Sequence, residues 1–330
     1  MLVLAASLSF AATTASAQSH KVIYDADVGV DDAMGLILLA RHPEIDLLGV
    51  TTMFGNGTID NTTRNTLYLQ DVLGFTAPVA RGAAKPAYSS APEPARIHGA
   101  NALGETEIPA IQSEADPRPA AQMIVDLVRE NPGEVTLLMV GRSTNVALAL
   151  AIEPKLPEMV KQVIIMGGTF GYNYGGKREN ANLFSIAEAN IGGDARAADE
   201  VINAGWPVAI LPLDVTLQTI MSKEYLDALP GTDGQFIREI THRTYVNDQG
   251  ATPVHDSSAI FYLLDPGAYT MTEAKVRVVP DGIAAGQTMM GKPTSSNSTY
   301  EPYPSVQVAT SVDAARVLDI YSETIANAAE

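Results

Sequence analysis

Residues 21–52 constrain the fold of this chain more than any other segment, because they read as strand, turn, helix and strand again. Residues 21–26 are β-rich, residues 31–41 carry an apolar helical face, and residues 45–52 return to β-rich composition. Two strands joined through a helix run parallel, so this opening predicts a βαβ unit. The rhythm continues with helices over 66–73, 144–152 and 195–204, and strands over 135–140, 162–166 and 208–212. The expected class is therefore α/β: a Rossmann-like, open, mostly parallel central sheet flanked by helices, with its site at the carboxyl ends of the strands. Residues 80–119, rich in Pro, Gly and Ala, read as a long surface excursion that covers the site. Residues 217–259 read as helical up to a short Gly-Ala-Thr-Pro loop, and the end of the chain reads as strand 275–280, a Ser- and Asn-rich loop over 294–300, strand 306–309 and a helix from Asp313. Without a visible repeat or interdomain linker, residues 18–330 are read as a single domain.

Composition narrows the chemistry. With 46% hydrophobic and 18% charged residues among 330, the chain can bury a large core. Its formal charge of -17 argues against a grip on nucleic-acid phosphates, which needs clustered Lys and Arg. Cysteine is absent, which removes disulfides, thiolate nucleophiles and zinc-thiolate sites and leaves carboxylates and five histidines. Oxygen ligands of that kind suit calcium or magnesium. Residues 1–17 are apolar, carry no charge and close on Ala15-Ser16-Ala17, so they are expected to be a signal peptide and the remainder a periplasmic or secreted protein. No stretch approaches the roughly 18 consecutive apolar residues of a bilayer span, so no membrane association is expected of the mature form.

Four carboxylates fall within eight residues in Asp25-Ala26-Asp27-Val28-Gly29-Val30-Asp31-Asp32, where the first strand meets the first helix. The period of two in a strand points Asp25 and Asp27 to one face, and Asp31 and Asp32 fall near the helix start. Capping explains one such Asp but not four, and a divalent cation is the simplest way to neutralise them. One strand end cannot complete a coordination shell, so a distant donor is required. Asp256, in Val254-His255-Asp256-Ser257-Ser258, is the best placed.

The segment from Asp25 to Asp32 resembles the opening motif of the inosine-uridine preferring nucleoside hydrolases, Asp-Thr-Asp-Pro-Gly-x-Asp-Asp. Gly55-Asn56, Gly141-Arg142-Ser143-Thr144-Asn145, Asn182, Ala187-Glu188-Ala189-Asn190 and His255-Asp256 follow in the family's order, so the resemblance runs from residue 21 almost to the end. It implies calcium bound by Asp27, Asp32, Asp256 and the backbone carbonyl of Val140, with Asp27 also the general base. It further implies ribose contacts from Asp31, Asn56, Asn182, Glu188 and Asn190, an acid near the departing base in His255, and a homodimer or homotetramer. Ala26 and Val28 replace the family's Thr and Pro, and Arg142-Ser143 replaces Pro-Leu, which brings a cation close to the metal neighbourhood.

N-glycosidic hydrolysis runs through an oxocarbenium-like sugar, and needs an activated water, negative charge near the ring and help for the leaving base. Tyr172, Tyr174 and Tyr245 are either aromatic partners for the base or partly buried structural residues, a contact from the excursion is expected at His98, and His42 and His242 lack ligand spacing. Trp206, the single tryptophan, precedes Pro207 at a strand start and reads as core, which argues against a tryptophan-stacking purine site. Gly167-Gly168-Thr169-Phe170-Gly171 lacks a P-loop lysine and reads as a strand-end loop. Two other readings use the same residues: a secreted calcium-dependent nucleoside or sugar receptor without hydrolysis, and a phosphatase built on Asp25-Ala26-Asp27.

Overall fold

The computed structural model describes residues 19–88, 96–171, 187–242, 246 and 250–329. Its centre is a nine-stranded sheet. In chain order the strands are β1 (His20–Ala26), β2 (Ile45–Thr52), β3 (Val79–Arg81), β4 (Val135–Met139), β5 (Gln162–Met166), β6 (Val208–Leu211), β7 (Ile220–Met221), β8 (Thr252–Pro253), β9 (Tyr269–Val278), β10 (Thr288–Gly291) and β11 (Val306–Val312). The order across the large sheet is β10-β9-β11-β6-β5-β4-β1-β2-β3, and β7 pairs with β8 in a separate ribbon. Every ladder from β11 to β3 is parallel, and only β9 joins antiparallel to β11 and β10. The mostly parallel α/β sheet expected from the alternation is what forms.

β1 sits centrally between β2 and β4, and its Val22, Ile23 and Tyr24 are fully buried, as a strand covered on both faces requires. Two apolar clusters lie on the two faces. One joins the helix Val30–Arg41 to the helices Ser257–Leu264 and Ala314–Ala328, and the other joins Ala120–Glu130, Thr144–Ile152 and Ala195–Ile202. This packing sets the carboxyl end of β1 against the starts of the Val30–Arg41 and Ser257–Leu264 helices.

Three expectations need correction. Residues 217–259 are not one helical stretch: the helices Lys223–Ala228 and Gly231–His242 are flanked by β7 and β8, whose two-residue ladders are too short to leave a period in the sequence. The strand expected over 275–280 starts earlier, at Tyr269, because its polar outer positions alternate with buried ones where it pairs with β11. The helix Ala120–Glu130, directly after the Pro-rich stretch, was not anticipated, although its inner face buries Met123, Ile124, Leu127 and Val128. Among the described residues, no helix is long and apolar enough to cross a membrane.

Candidate active site

The carboxyl end of β1 turns into a helix through Gly29, which occupies the N-cap position of Val30–Arg41. Its backbone N–H donates to Asp32 Oδ2 at 2.8 Å, and Asp31 and Asp32 occupy the first turn, where the helix dipole favours anions. Gly29 is required by crowding: a Cβ there would stand 2.7 Å from Asn56 Nδ2 and 2.8 Å from His98 Nδ1. Asn56 comes from the loop after β2, and its Nδ2 donates to Asp32 Oδ2 at 2.9 Å while its backbone N–H donates to Asp27 Oδ2 at 2.6 Å. His98 arrives from the excursion, with Nδ1 accepting from Val30 N–H at 3.2 Å and lying 3.7 Å from Asp31 Oδ1. The excursion therefore does reach the site, as expected for His98.

Asp256 completes the cluster from the far side. It occupies the N-cap position of Ser257–Leu264 yet makes no capping hydrogen bond, and it is 2% exposed, so helix capping does not account for it. One carboxylate oxygen from each of Asp31, Asp32 and Asp256 lies within 4.8 Å of the others. Burial drives the carboxyl groups of Asp32 and Asp256 well above the usual carboxylate range, and neighbouring carboxylates add to it. Asp32 Oδ1 and Asp27 Oδ1 are buried without a hydrogen-bond partner among the described residues. Crowded oxygen donors with unsatisfied lone pairs fit a hard divalent cation, which removes both the repulsion and the unmet hydrogen-bonding capacity.

The tight trio differs in membership from the expected ligand set, since Asp31 stands where Asp27 was anticipated. Asp27 is fully buried, and its Oδ2 is held by an ion pair with Arg142 Nη1. The Val140 carbonyl, also expected as a ligand, accepts from Asn190 Nδ2 at 2.7 Å. Asn190 Oδ1 in turn accepts from Arg142 Nη1 at 3.2 Å. Asp25 takes a different part: Thr51 Oγ1 and Asn145 Nδ2 donate to its Oδ1 at 2.5 and 2.9 Å, while burial pushes its carboxyl up to about 7. That clamp ties β1 to β2 and to the start of the helix Thr144–Ile152 that follows β4. The phosphatase reading needs Asp25 as a nucleophile, and its clamp by Thr51 and Asn145 gives it a structural part instead.

Asp31, Asn56, His98, Glu188, Asn190 and His255 line one cavity of about 390 Å³, within the usual size range of small-ligand sites. Glu188 does more than line it. Its Oε1 accepts from Asn190 N–H at 2.8 Å and its Oε2 from Gly168 and Ile191 N–H at 2.9 and 3.0 Å, which fixes the start of the helix Ala189–Gly193 against the loop after β5. His255 Nδ1 is 2.8 Å from Thr216 Oγ1, and burial lowers its pKa, so the imidazole is neutral at physiological pH. Asn182, Tyr172, Tyr174 and Tyr245 lie outside the described residues.

Gly55 backs this arrangement, because a Cβ there would overlap Asp27 Oδ2 and Arg142 Nη1. The Gly55→Ala variant is expected to displace the Asp27 carboxylate and, with Asp27 the general base that the resemblance implies, to lower kcat by about tenfold to a hundredfold. Steady-state kinetics alongside a melting curve check this; unchanged kcat in a folded variant would mean that the Asp27 position is not critical.

The inosine-uridine preferring nucleoside hydrolase family model matches residues 22–319, nearly the whole of the described chain. The chain belongs to this family. Uridine nucleosidase 1 of Arabidopsis thaliana is 33% identical over 313 residues, covering 91% of each chain. The inosine-uridine preferring nucleoside hydrolase of Crithidia fasciculata is 35% identical over 281 residues, 82% of this chain and 87% of its own. Among solved structures, the purine-preferring ribonucleoside hydrolase of Gardnerella vaginalis superposes with a TM-score of 0.82 at 29% identity, over 94% of this chain and 99% of its own. As a nucleoside hydrolase, the chain is a hydrolase acting on N-glycosyl compounds, and its acidic cluster is a site that can bind a metal ion. Trp206 is 3% exposed with Nε1 donating to Val201 O at 2.8 Å, so it belongs to the core of this nucleoside hydrolase, as read from sequence.

Two features escaped sequence reasoning. One is the Glu188 cap, which uses a residue type uncommon at N-caps. The other is the reach of Arg142 into Asp27 and Asn190; the sequence placed a cation nearby but carried no signal of its partners.

Proposed function

We propose that this nucleoside hydrolase cleaves the N-glycosidic bond of ribonucleosides to free base and ribose, with calcium as its metal and Asp27 as general base. The observation that carries the reading is the meeting of three carboxylates within 4.8 Å, two of them on the wall of a cavity sized for a nucleoside. Bound among these oxygens, a calcium ion supplies charge that acidifies a water and orients vicinal hydroxyls.

The chain's own residues divide the remaining work. Asn56 N–H and Arg142 hold Asp27 Oδ2, which leaves Oδ1 as the atom that takes the proton of the attacking water. Asp31, itself one of the trio, and Asn56, which donates to Asp32, are the ribose contacts beside the metal, and Glu188 and Asn190 line the same cavity. Burial of the anionic side chains favours positive charge developing on the sugar. His255, neutral and seated by Thr216, is the group beside the departing base; as an acid it must first take up a proton.

A panel of purine and pyrimidine ribonucleosides, assayed for free base and reducing sugar with and without a calcium chelator, tests this reading. Calcium-dependent release is expected, and its ranking gives base preference. A calcium-dependent receptor without hydrolysis is the second reading, favoured by one observation: burial raises the Asp27 carboxyl, but the paired guanidinium opposes that rise and occupies one of its oxygens. Recovery of intact, stoichiometrically bound nucleoside would establish the receptor instead. The proposal extends to removal of residues 1–17 on export, a periplasmic or secreted location and a homo-oligomeric assembly. N-terminal sequencing and light scattering of natively produced protein test these points, and retention of residue 1 or a monomer would refute the corresponding part.

A further inference from the structure

We propose that Arg142 is a built-in rival of the metal ion for Asp27, so that calcium affinity is set by exchange between the chain's own guanidinium and the incoming cation. The inference rests on the metal reading above and concerns a residue to which the family resemblance assigns no role.

Arg142 follows β4 and Gly141, and is 5% exposed. Its Nη1 donates to Asp27 Oδ2 and, at 3.2 Å, to Asn190 Oδ1, while Asn190 Nδ2 holds the Val140 carbonyl at 2.7 Å. The Arg142–Asn190 pair thus engages two of the four groups expected to ligate the ion, the Asp27 carboxylate through Oδ2 and the Val140 carbonyl. Its place is built rather than incidental. A Cβ on Gly193 would overlap Arg142 Cγ and lie 2.8 Å from Nε, and a Cβ on Gly55 would stand 2.6 Å from Cζ. Two glycines therefore leave the volume that the arginine stem and head fill.

The seat is also incompletely satisfied. Arg142 Nε and Asp27 Oδ1 are both buried without a hydrogen-bond partner among the described residues. A buried ion pair holds firmly when its remaining donors and acceptors are met; with one of each left open, an exchange that satisfies Asp27 otherwise costs less. Charge points the same way. Asp27, Asp31, Asp32 and Asp256 attract any cation, and a resident guanidinium both neutralises one of them and would repel a divalent ion bound in the same cluster. Arg142 therefore keeps the metal-free cluster tolerable and lowers its calcium affinity. Calcium uptake then becomes a graded response to its concentration rather than permanent occupancy.

The test is calcium titration by calorimetry of chelator-stripped protein, with melting temperature followed across the same calcium range. Arg142→Gln is expected to bind calcium at least about tenfold more tightly than the unmodified chain, with a lower melting temperature in chelator and a larger rise on calcium addition. Arg142→Lys, which keeps the charge, is expected to stay close to the unmodified chain. If Arg142→Gln does not fold without metal, Gly193→Ala serves instead: it crowds the arginine stem, leaves every charge in place, and is expected to shift affinity in the same direction. Equal or weaker calcium binding by the variant would overturn the rival role and leave the metal reading intact. No calcium binding by any of the chains would overturn the metal reading itself, and this inference with it.

Discussion

Asp27→Asn is expected to lower kcat for nucleoside hydrolysis by about 10²- to 10⁴-fold, the span that a positioned general base contributes. Asparagine keeps the shape and an acceptor for the Asn56 N–H that now meets Asp27 Oδ2 at 2.6 Å, so the loop after β2 stays in place. What disappears is the open Oδ1 as a proton acceptor and the negative charge beside the reacting sugar. Asp31, Asn56 and Asn190 are untouched, so at calcium concentrations that saturate the variant, which lacks one expected calcium ligand and needs more of the ion, nucleoside affinity should change by no more than a few-fold. The loss therefore falls on kcat and not on binding. A structural cost accompanies it: Arg142, 5% exposed, loses its ion-pair partner, and an uncompensated buried charge of this kind costs about 3–5 kcal/mol. Single-turnover kinetics with a separate nucleoside-binding measurement separates the two effects. A folded Asp27→Asn protein that retains more than a tenth of the rate would require a different base, with Asp31, a carboxylate on the cavity wall, the first candidate.

The parts of this site that could be read from sequence are those fixed by neighbours along the chain. Asp25 to Asp32 are legible because strand end, glycine turn and helix start occupy consecutive residues, and local geometry alone crowds their carboxylates. The parallel sheet is legible for a similar reason, since each βα unit repeats a local pattern. Asp256 has no such signal. A lone Asp before a helix normally reads as a cap, and it is singled out by the need for a distant donor and by the family resemblance; its membership in the cluster depends on packing of the Ser257–Leu264 helix against Val30–Arg41. Arg142 shows the limit most sharply. Its partners lie 115 and 48 residues away in sequence, and whether its guanidinium points to solvent or to Asp27 depends on the space left by Gly55 and Gly193. The same holds for β7 and β8, whose pairing is decided by where the surrounding helices leave the chain.

Asp256→Asn is expected to act in opposite directions on stability and function. In the metal-free protein, burial and neighbouring carboxylates hold Asp32 and Asp256 well above their usual range, and Asp25 at about 7. An acid whose folded-state pKa is raised binds its proton more tightly when folded. Its favourable contribution is complete below the unfolded value near 4, and is lost as pH rises through the folded value. The chelated protein should therefore lose stability steadily between about pH 4 and 8. Calcium binds the deprotonated cluster, so its stabilising effect should grow over the same interval and flatten the slope. Asn at position 256 carries no proton to lose, which removes up to about 1.4 kcal/mol per pH unit from that slope and abolishes the repulsion between Asp256 and Asp32. The variant should thus melt higher than the unmodified protein in chelator at pH 8, against the usual tendency of buried substitutions to destabilise. It should also lose most of its calcium-induced rise in melting temperature and most of its activity. Scanning calorimetry at about pH 5 and pH 8, with calcium and with chelator, reads all of these together. A variant that is less stable than the unmodified chain in chelator at pH 8, or that still responds fully to calcium, would place Asp256 outside the metal cluster and leave its burial without a partner charge to explain it.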